Sequence, residues 1–223
     1  MGVIAIIPAR GGSKGIPGKN VKKICDKPLI GYTIEAAAKS KIFDRIIVST
    51  DNSTIKKVSE RSGAEVVIRP KKLATNTAST ESAMGHVLDV LLEKEQYRPD
   101  VIVLLQPTSP LRTALDIKKA YSKFRSESLD SLLSVTSHVK FIWKETKQKV
   151  YPINYEFLER PRRQDMKDQF SENGAIYITK YKTFWKNKNR LGGKIGLYAM
   201  EEKHSIEVDS FVDLKIVEQY LSQ

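Results

Sequence analysis

Short apolar runs recur along the chain, and most of them are rich in β-branched residues and end at turn-forming residues. Six runs of this kind are VIAII (3–7), RIIVST (45–50), AEVVI (64–68), VIVLLQ (101–106), SLLSVT (131–136) and GAIYIT (174–179). Continuous hydrophobicity is typical of strands that are covered on both faces, whereas half-exposed strands alternate. The runs therefore predict strands of a buried sheet.

The segments between the early strands have a helical period. They are PLIGYTIEAAAKS (28–40), NSTIKKVSERSG (52–63), STESAMGHVLDVLLEKE (79–95) and ALDIKKAYSKFRS (114–126), and a further helix, SFVDLKIVEQYLS (210–222), ends the pattern. Asp51 or Asn52 is suited to cap the second helix, and Ser79 or Thr80 the third. Alternating strands and helices predict an α/β fold with a doubly wound, mostly parallel sheet.

The regular pattern falters between residues 137 and 172. This stretch is rich in aromatic and charged residues, and it lacks a clear helical or strand period. We interpret it as an insert within a single domain that spans 1–223, and specifically as a β arm that pairs with another subunit. The sheet pattern resumes at Gly174.

The segment IIPARGGSKGIPGKN (6–20) follows the first strand and contains four glycines. Its spacing does not fit the Walker motif or the dinucleotide fingerprint. The letters GGSKG (11–15) do match the G-x-S-x-G elbow of serine hydrolases, but that elbow requires a helix at the serine, and Pro17 and Gly18 follow instead.

This opening loop is better suited to phosphate. Glycines allow backbone N–H groups to converge on an anion, and Arg10, Lys14 and Lys19 add positive charge. The loop leaves the carboxyl end of the first strand, where open α/β sheets bind their ligands. We therefore predict a polyphosphate site here.

Two further polar segments are expected at the same edge of the sheet. LLQPTSPLR (104–112) holds polar side chains such as Gln106 in a loop stiffened by proline. SIEVDS (205–210) reads as the end of an alternating strand that turns Glu207 and Asp209 to one face, since side chains two apart share a side. Paired carboxylates beside a polyphosphate predict a Mg²⁺ site.

Composition restricts the class of protein. The formal net charge of +12 favours anionic partners, namely nucleic acid, an acidic membrane surface or phosphorylated and carboxylated substrates. No 18 apolar residues occur in succession and the only cysteine is Cys25, so we expect a soluble, cytoplasmic protein without disulfides and without membrane association.

Taken together and in order, IPARGGSKGIPGKN, RIIVSTD, VVIRP, LLQPTSPLR, NGAIYI and SIEVDS resemble the acylneuraminate cytidylyltransferases, the CMP-sialic acid synthetases. The resemblance implies a Rossmann-like nucleotidyltransferase fold with a swapped dimerisation arm, and hence a homodimer. It also implies transfer of CMP from CTP to the anomeric hydroxyl of an acidic nine-carbon sugar, with release of pyrophosphate.

The resemblance assigns roles to residues. Arg10, Lys14, Lys19 and Asp209 are the implied catalytic residues, and Mg²⁺ is implied at Asp209 and Glu207, where many members have a second aspartate. The implied nucleotide-binding residues are Ala9, Arg10, Gly11, Gly12, Ser13, Lys14 and Lys19 for the triphosphate and Asn20 and Arg69 for cytosine. The implied sugar-binding residues are Gln106, Lys144, Arg162 or Arg163, and Tyr177.

The sequence leaves other substrates and other functions open. Legionaminic or pseudaminic acid could replace sialic acid as the substrate, and a Kdo-type nucleotidyltransferase shares the fold and much of the first loop. A nucleic-acid-binding protein is suggested by net charge alone, and aromatic residues mixed with lysines in the arm suit either base stacking or a dimer interface. Because the enzyme reading explains the ordered motifs, we do not expect nucleic acid to be the partner.

Overall fold

Seven strands form the central sheet in the computed structural model, which describes residues 2–13, 15–137, 140–166 and 169–222. In chain order, the strands and α-helices are β1 (Val3–Pro8), β2 (Lys23–Ile24), β3 (Lys27–Pro28), α1 (Leu29–Ser40), β4 (Arg45–Thr50), α2 (Ser53–Arg61), β5 (Glu65–Ile68), α3 (Thr80–Glu95), β6 (Val101–Leu105), α4 (Ala114–Ser126), β7 (Ser131–Ser137), β8 (Trp143–Glu145), β9 (Val150–Pro152), β10 (Phe170–Lys180), α5 (Tyr181–Asn187), β11 (Ile195–Met200) and α6 (Phe211–Leu221).

The order of strands in the sheet is β11-β7-β10-β6-β1-β4-β5. Strand β10 runs antiparallel to β6 and β7, and the other neighbouring pairs are parallel. From β1 the chain winds outward through β4 and β5, and it then returns to β6 on the other side of β1. The prediction of a doubly wound, mostly parallel sheet is confirmed, and its switch point lies between β1 and β6, where such sheets bind ligands.

Apolar side chains cover both faces of this sheet. Ile34 of α1 and Phe124 of α4 pack on one face, and Leu88 of α3 and Phe184 of α5 pack on the other. Burying a side chain of this size stabilises a fold by about 1.5–3 kcal/mol. Truncation of Phe124 to alanine is accordingly expected to cost about 3–5 kcal/mol, because the close-packed face would retain a cavity.

Side-chain caps set the starts of four helices. Asn52 accepts hydrogen bonds from the amides of Thr54 and Ile55, at 2.9 and 3.0 Å, and Ser79 accepts one from Ser82 at 3.1 Å, so both predicted cap sites are confirmed. Capping boxes also begin α4 and α6. The box of α6 fixes the chain immediately after Asp209.

The region from 137 to 172 divides into two parts. An antiparallel hairpin, β8 with β9, lies outside the central sheet. The strand predicted to begin at Gly174 begins four residues earlier, and Phe170 pairs with Ser137 in the main sheet. The sequence pattern also did not predict α5 and β11, and β11 forms one edge of the sheet.

The segment 205–210 is not the strand that its alternation predicted. Glu202–Ser205 form a 3-10 helix, and the following residues are extended without a ladder. The amide of Val208 donates to the carbonyl of Thr108 at 2.8 Å. Thr108 belongs to the loop 106–112, and this loop cannot form a complete β-ladder because Pro107 and Pro110 have no N–H to donate. The prediction of a strand at Glu207 and Asp209 was therefore wrong, although the segment is extended and Val208 is buried.

Among the described residues, no helix combines the length and the hydrophobicity that crossing a membrane requires.

Candidate active site

The opening loop and the 106–112 loop leave neighbouring strands at the carboxyl edge of the sheet. Strands β1 and β6 pair in parallel, so both loops emerge on the same side of the switch point. The 206–209 segment joins them through the hydrogen bond between Val208 and Thr108. The three segments that the sequence predicted to meet at one edge therefore do meet.

Backbone contacts hold the start of the opening loop. Ala9 is buried, and its amide donates to the carbonyl of Ser49 at 2.9 Å. The Gly11 amide donates to Asp51 Oδ1 at 2.9 Å, and the Arg10 guanidinium donates to the carbonyl of Thr75 at 2.8 Å. The sequence indicates Asp51 only as a possible helix cap, whereas in the fold its carboxylate holds the start of this loop.

Lys19 joins the opening loop to the 206–209 segment, which we call the acidic segment. Its ammonium donates to the Val208 carbonyl at 2.8 Å and to Asp209 Oδ1 at 2.9 Å. The Lys19 side chain is 13% exposed, whereas the Asp209 side chain is 74% exposed. The approach is close enough that a Cβ at Gly15 would overlap the Asp209 carbonyl oxygen. Glycine is thus required at position 15 by the neighbouring backbone.

The tip of the loop is open. Gly12 is exposed, Ser13 is partly exposed, and a Cβ at Gly12 would meet no atom within 4 Å. Lys14, an implied catalytic and nucleotide-binding residue, lies outside the described residues. The open tip leaves room for a ligand against the backbone of residues 11 to 13.

Asn20 and Arg69 are buried beside this loop. The Asn20 amide nitrogen donates to the Arg10 carbonyl at 3.0 Å, and its Oδ1 is buried without a hydrogen-bond partner among the described residues. The Arg69 Nε is also buried without such a partner. Burial lowers the pKa of Arg69, with Asp51 opposing and Arg10 adding to the effect. Unsatisfied buried polar atoms are rare, so these two side chains are suited to a polar ligand.

The Gln106 and Glu207 side chains both approach the α-carbon of Gly174. A Cβ at Gly174 would overlap the Glu207 carboxylate and lie 3.5 Å from Gln106 Nε2, and its φ of +65° also favours glycine. Burial and then the charge of Asp209 raise the pKa of Glu207 to about 7, while Lys19 opposes the shift. Glu207 is thus a half-buried carboxyl group within the site, not a solvated surface acid.

Tyr177 is part of the core on the sheet face that carries α3 and α5, and it lies close enough to Glu207 for that carboxylate to affect its pKa. It is 2% exposed, and its hydroxyl donates to the Glu172 carboxylate. The guanidinium carbon of Arg190 lies 4.6 Å from the centroid of the Tyr177 ring. Burial, and then the hydrogen bond to Glu172, raise the pKa of Tyr177. The sequence pattern gave no sign of Glu172 or Arg190, because both follow from strand pairing and the turn after α5.

The implied sugar-binding residues of the arm lie apart from this cluster. Lys144 is exposed on β8, and Arg162 forms an exposed ion pair with Asp165 at 2.8 Å. Arg163 is exposed in a short 3-10 helix. Within the described parts of the chain, no hydrogen bond or ion pair joins these three residues to Lys19, Gln106 or Tyr177, so their predicted role stays a prediction.

The acidic segment fits a cation that brings ligands of its own. In the described ranges, no group of three or more His, Cys, Asp and Glu side chains is placed to hold a metal ion. Glu207 and Asp209 offer two carboxylates, close enough for the charge of one to affect the other. Mg²⁺ takes oxygen ligands and is often bound by one or two carboxylates plus phosphates and waters. This donor set therefore suits Mg²⁺ that arrives with a nucleotide.

Solved structures share this fold. One is described as CMP:2-keto-3-deoxy-manno-octonic acid synthetase complexed with CTP, with a TM-score of 0.72 and 17% identity, and the match covers 100% of this chain and 99% of the other. Another is a 4-diphosphocytidyl-2C-methyl-D-erythritol synthase from Anaerococcus prevotii, with a TM-score of 0.70, 13% identity and the same coverage. At these identities the likeness supports the nucleotidyltransferase fold alone.

Curated relatives are closer in sequence. The N-acylneuraminate cytidylyltransferase of Oncorhynchus mykiss is 36% identical over 223 residues, which cover 97% of this chain and 50% of the relative. That of Escherichia coli is 32% identical over 221 residues, which cover 96% of this chain and 51% of the relative. The chain thus spans about half the length of these relatives. Residues 4–221 match the family model described as cytidylyltransferase, and the chain therefore belongs to that family.

Proposed function

We propose that this chain transfers CMP from CTP to the anomeric hydroxyl of a sialic-type acid and releases pyrophosphate. One observation carries the proposal: Lys19 of the opening loop contacts Val208 and Asp209 of the acidic segment at the edge where β1 and β6 end. A cation and a carboxylate that meet beside the backbone amides of a glycine-rich loop are suited to a metal-bound triphosphate. The names of the relatives support the same reaction.

The opening loop would hold the triphosphate. The amides of Gly12 and Ser13 lie at its open tip, and Arg10 and Lys19 supply positive charge at its two ends. Lys14 would add a third cation. Phosphoryl transfer depends mainly on positioning and on neutralising charge in the transition state, so no covalent intermediate is needed.

Asn20 and Arg69 would recognise the cytosine base by hydrogen bonds. The Arg69 guanidinium can donate to the acceptors of the ring. The Asn20 amide nitrogen already donates to the Arg10 carbonyl, and its unsatisfied atom is the acceptor Oδ1. We therefore assign Asn20 Oδ1 to the exocyclic amino group of cytosine, which distinguishes that base from uracil.

Gln106, Glu207 and Tyr177 would form the sugar side of the site. The Gln106 and Glu207 side chains converge at Gly174, where both could hydrogen-bond to hydroxyl groups of the sugar. Mg²⁺ held by Asp209 and Glu207 would neutralise phosphate charge when bound. Departure of Asp209 from Lys19 would free the ammonium for the same phosphates.

The arm would complete the site of a second copy of the chain. Lys144 and Arg162 or Arg163 are exposed and make no contact with the described site of their own chain, although a sugar carboxylate needs a cationic partner. A homodimer in which each arm reaches the neighbouring site would bring them to it. Sedimentation equilibrium, together with restoration of activity on mixing a Lys144→Ala variant with a Lys19→Gln variant, tests this arrangement.

Among the nine-carbon acids we place N-acetylneuraminic acid first, because the relatives are named for acylneuraminate, and legionaminic and pseudaminic acids next. The test is pyrophosphate release with each purified acid crossed against CTP, UTP, GTP and ATP, with Mg²⁺ and with a chelator. We expect turnover only with CTP, one of these acids and Mg²⁺. No turnover with CTP and any of the three acids would refute the proposed reaction.

A further inference from the structure

A second cleft lies beside α1, between that helix and the chain that leads into α4. Its volume is about 540 Å³, and it is formed by Lys27 and one side of α1 from Tyr32 to Lys39, the chain between β6 and α4, the 3-10 helix before the acidic segment and the end of α6. Tyr32 and Tyr220 contribute rings to its walls. None of the residues assigned above to the nucleotide, the sugar or the metal lines it.

Arg112 lies in the inner part of this cleft. The side chain is 2% exposed, and its Nη1 donates to the carbonyl oxygens of Ala175 at 2.8 Å and of Gln106 at 3.1 Å. Its Nε and Nη2 have no hydrogen-bond partner among the described residues. A buried guanidinium with unsatisfied donors is costly unless an acceptor is supplied. The charge of Asp116 compensates part of this burial, but among the described residues it accepts no hydrogen bond from Nε or Nη2, so the guanidinium retains donors for a further anion.

The outer part of the cleft carries more positive than negative charge. Lys27 and Lys39 both pair with the carboxylate of Glu35, and the Lys27 ammonium also lies 4.7 Å from the centroid of the Tyr32 ring. Each ammonium has three N–H donors, so both retain donors for a further acceptor. The two lysines and one glutamate therefore leave a net positive charge at the cleft mouth.

We propose that this cleft is a second binding site, specific for a small molecule that carries a phosphate group. The phosphate would be held by Lys27 and Lys39 at the mouth, with the Arg112 guanidinium below it, and a ring attached to the phosphate would lie against Tyr32 or Tyr220. A nucleoside monophosphate and inorganic pyrophosphate share the required chemistry, and cytidine has a ring without the charge.

A ligand bound in this cleft would affect the proposed active site through Arg112. The same guanidinium that would respond to the anion holds the backbone at Gln106 and at Ala175, next to Gly174. A shift of Arg112 would therefore change the start of the 106–112 loop and the part of strand β10 next to Gly174, which the Glu207 carboxylate approaches. The coupling is physical, because it runs through one side chain and two hydrogen bonds.

The proposal is tested by calorimetric titration of the full chain with pyrophosphate, CMP and cytidine in the presence of a chelator. Removal of Glu35 releases both lysines, whereas removal of Lys39 takes away one cation. We expect Glu35→Gln to tighten binding of pyrophosphate and CMP about fivefold and Lys39→Gln to weaken it about fivefold, in line with one charge at close range. Both positions are on the surface of α1, so folding should be retained, as circular dichroism will show.

Lys19→Gln is the matched control because it alters only the proposed triphosphate site. Binding that moves in opposite directions in Glu35→Gln and Lys39→Gln and persists in Lys19→Gln supports the second site. The proposal is overturned if binding is unchanged in both α1 variants, or if binding is lost in Lys19→Gln. It is also overturned if no binding is detected at millimolar pyrophosphate and CMP. Equal binding of cytidine would overturn the requirement for phosphate. None of these outcomes depends on turnover, so a failure here is distinct from a failure of the proposed reaction.

Discussion

The ammonium of Lys19 lies 2.9 Å from the carboxylate of Asp209, although 190 residues separate them in the chain. Asp209 is largely exposed, so this ion pair contributes less than about 1 kcal/mol to stability. The contact matters because it places a cation and a candidate metal ligand at one edge of the sheet. It also means that a carboxylate occupies a donor of Lys19 that a phosphate would use.

The first prediction concerns Lys19→Gln. We expect kcat/KM for CTP to fall by about a hundredfold or more, because one preorganised donor to the reacting phosphates is lost. The free energy of unfolding should change by less than about 1 kcal/mol, because Asp209 is largely exposed and a glutamine at position 19 can still donate to the Val208 carbonyl. Pyrophosphate release and urea unfolding measure the two effects. Lys23→Gln, an exposed lysine nearby, is the control and should leave both values unchanged; equal activity of the two variants would contradict the role of Lys19.

The second prediction concerns Gly15→Ala. An added Cβ would overlap the carbonyl oxygen of Asp209, which is backbone and cannot rotate away. We expect a loss of about 1–3 kcal/mol in unfolding free energy, typical of forced overpacking, together with reduced activity. Gly12→Ala, where the Cβ meets nothing within 4 Å, should keep the stability of the parent chain. A parental melting temperature for Gly15→Ala would show that the loop and the acidic segment do not approach as described.

The third prediction concerns Asn20→Ala and the choice of base. Loss of the buried acceptor Oδ1 should lower the preference for CTP over UTP by about tenfold, the effect of one hydrogen bond to the base. Ratios of kcat/KM for the two nucleotides measure it. Lys19→Gln serves as the control, because it should depress both nucleotides equally and leave the ratio unchanged. An unaltered ratio in Asn20→Ala would remove Asn20 from base recognition.

The fourth prediction concerns pH and His86 on α3. Burial lowers the pKa of His86; Arg69 and Lys94 act in the same direction, and Asp89 and Glu93 oppose them. The folded state therefore disfavours the protonated ring. The neutral His86 ring makes its full contribution to the free energy of unfolding above the pKa of about 6.5 that it has in the unfolded chain. That contribution is lost as the pH falls through the lower pKa of the folded state. The raised pKa of Glu207 acts in the opposite direction over the same pH range, so the contribution of His86 is measured by urea unfolding as a difference between the parent chain and a variant that lacks the ring.

The matched variant for that measurement is His86→Gln, which cannot take up a proton. Its unfolding free energy should fall less than that of the parent chain over the same pH range. Parallel pH profiles for the two proteins would contradict a lowered pKa at His86.

Much of the fold could be predicted from hydrophobic period and caps. Asn52 and Ser79 were expected as caps because their oxygens suit free amides at helix starts, and both proved to be caps. Helix α5 has only seven residues, two of them lysine, and strand β11 is a run of six residues that includes Gly196 and follows a pair of glycines, so neither has a clear apolar period. The strand expected at 205–210 failed because alternation describes side chains, whereas a ladder needs backbone partners.

The site was predictable in its residue types but not in its contacts. Glycines and cations in the opening loop indicated phosphate, and the loop does meet the segment that carries Asp209. Nothing in the sequence places Asp51 against the Gly11 amide, or Glu172 against the Tyr177 hydroxyl. Such contacts depend on strand register and on the bulge in β10, which are properties of the folded sheet.

The position of strand β10 affects what happens when the arm is exchanged between members of the family. Its carboxyl half lies between β6 and β7 in the core, its amino half follows the arm, and the irregularity at Gly174 separates the two halves. Glu172 belongs to the half nearest the arm, yet it accepts the hydrogen bond of Tyr177. A chimaera that receives its arm from another family member would therefore inherit part of the donor's pocket wall, and its substrate preference should follow the graft.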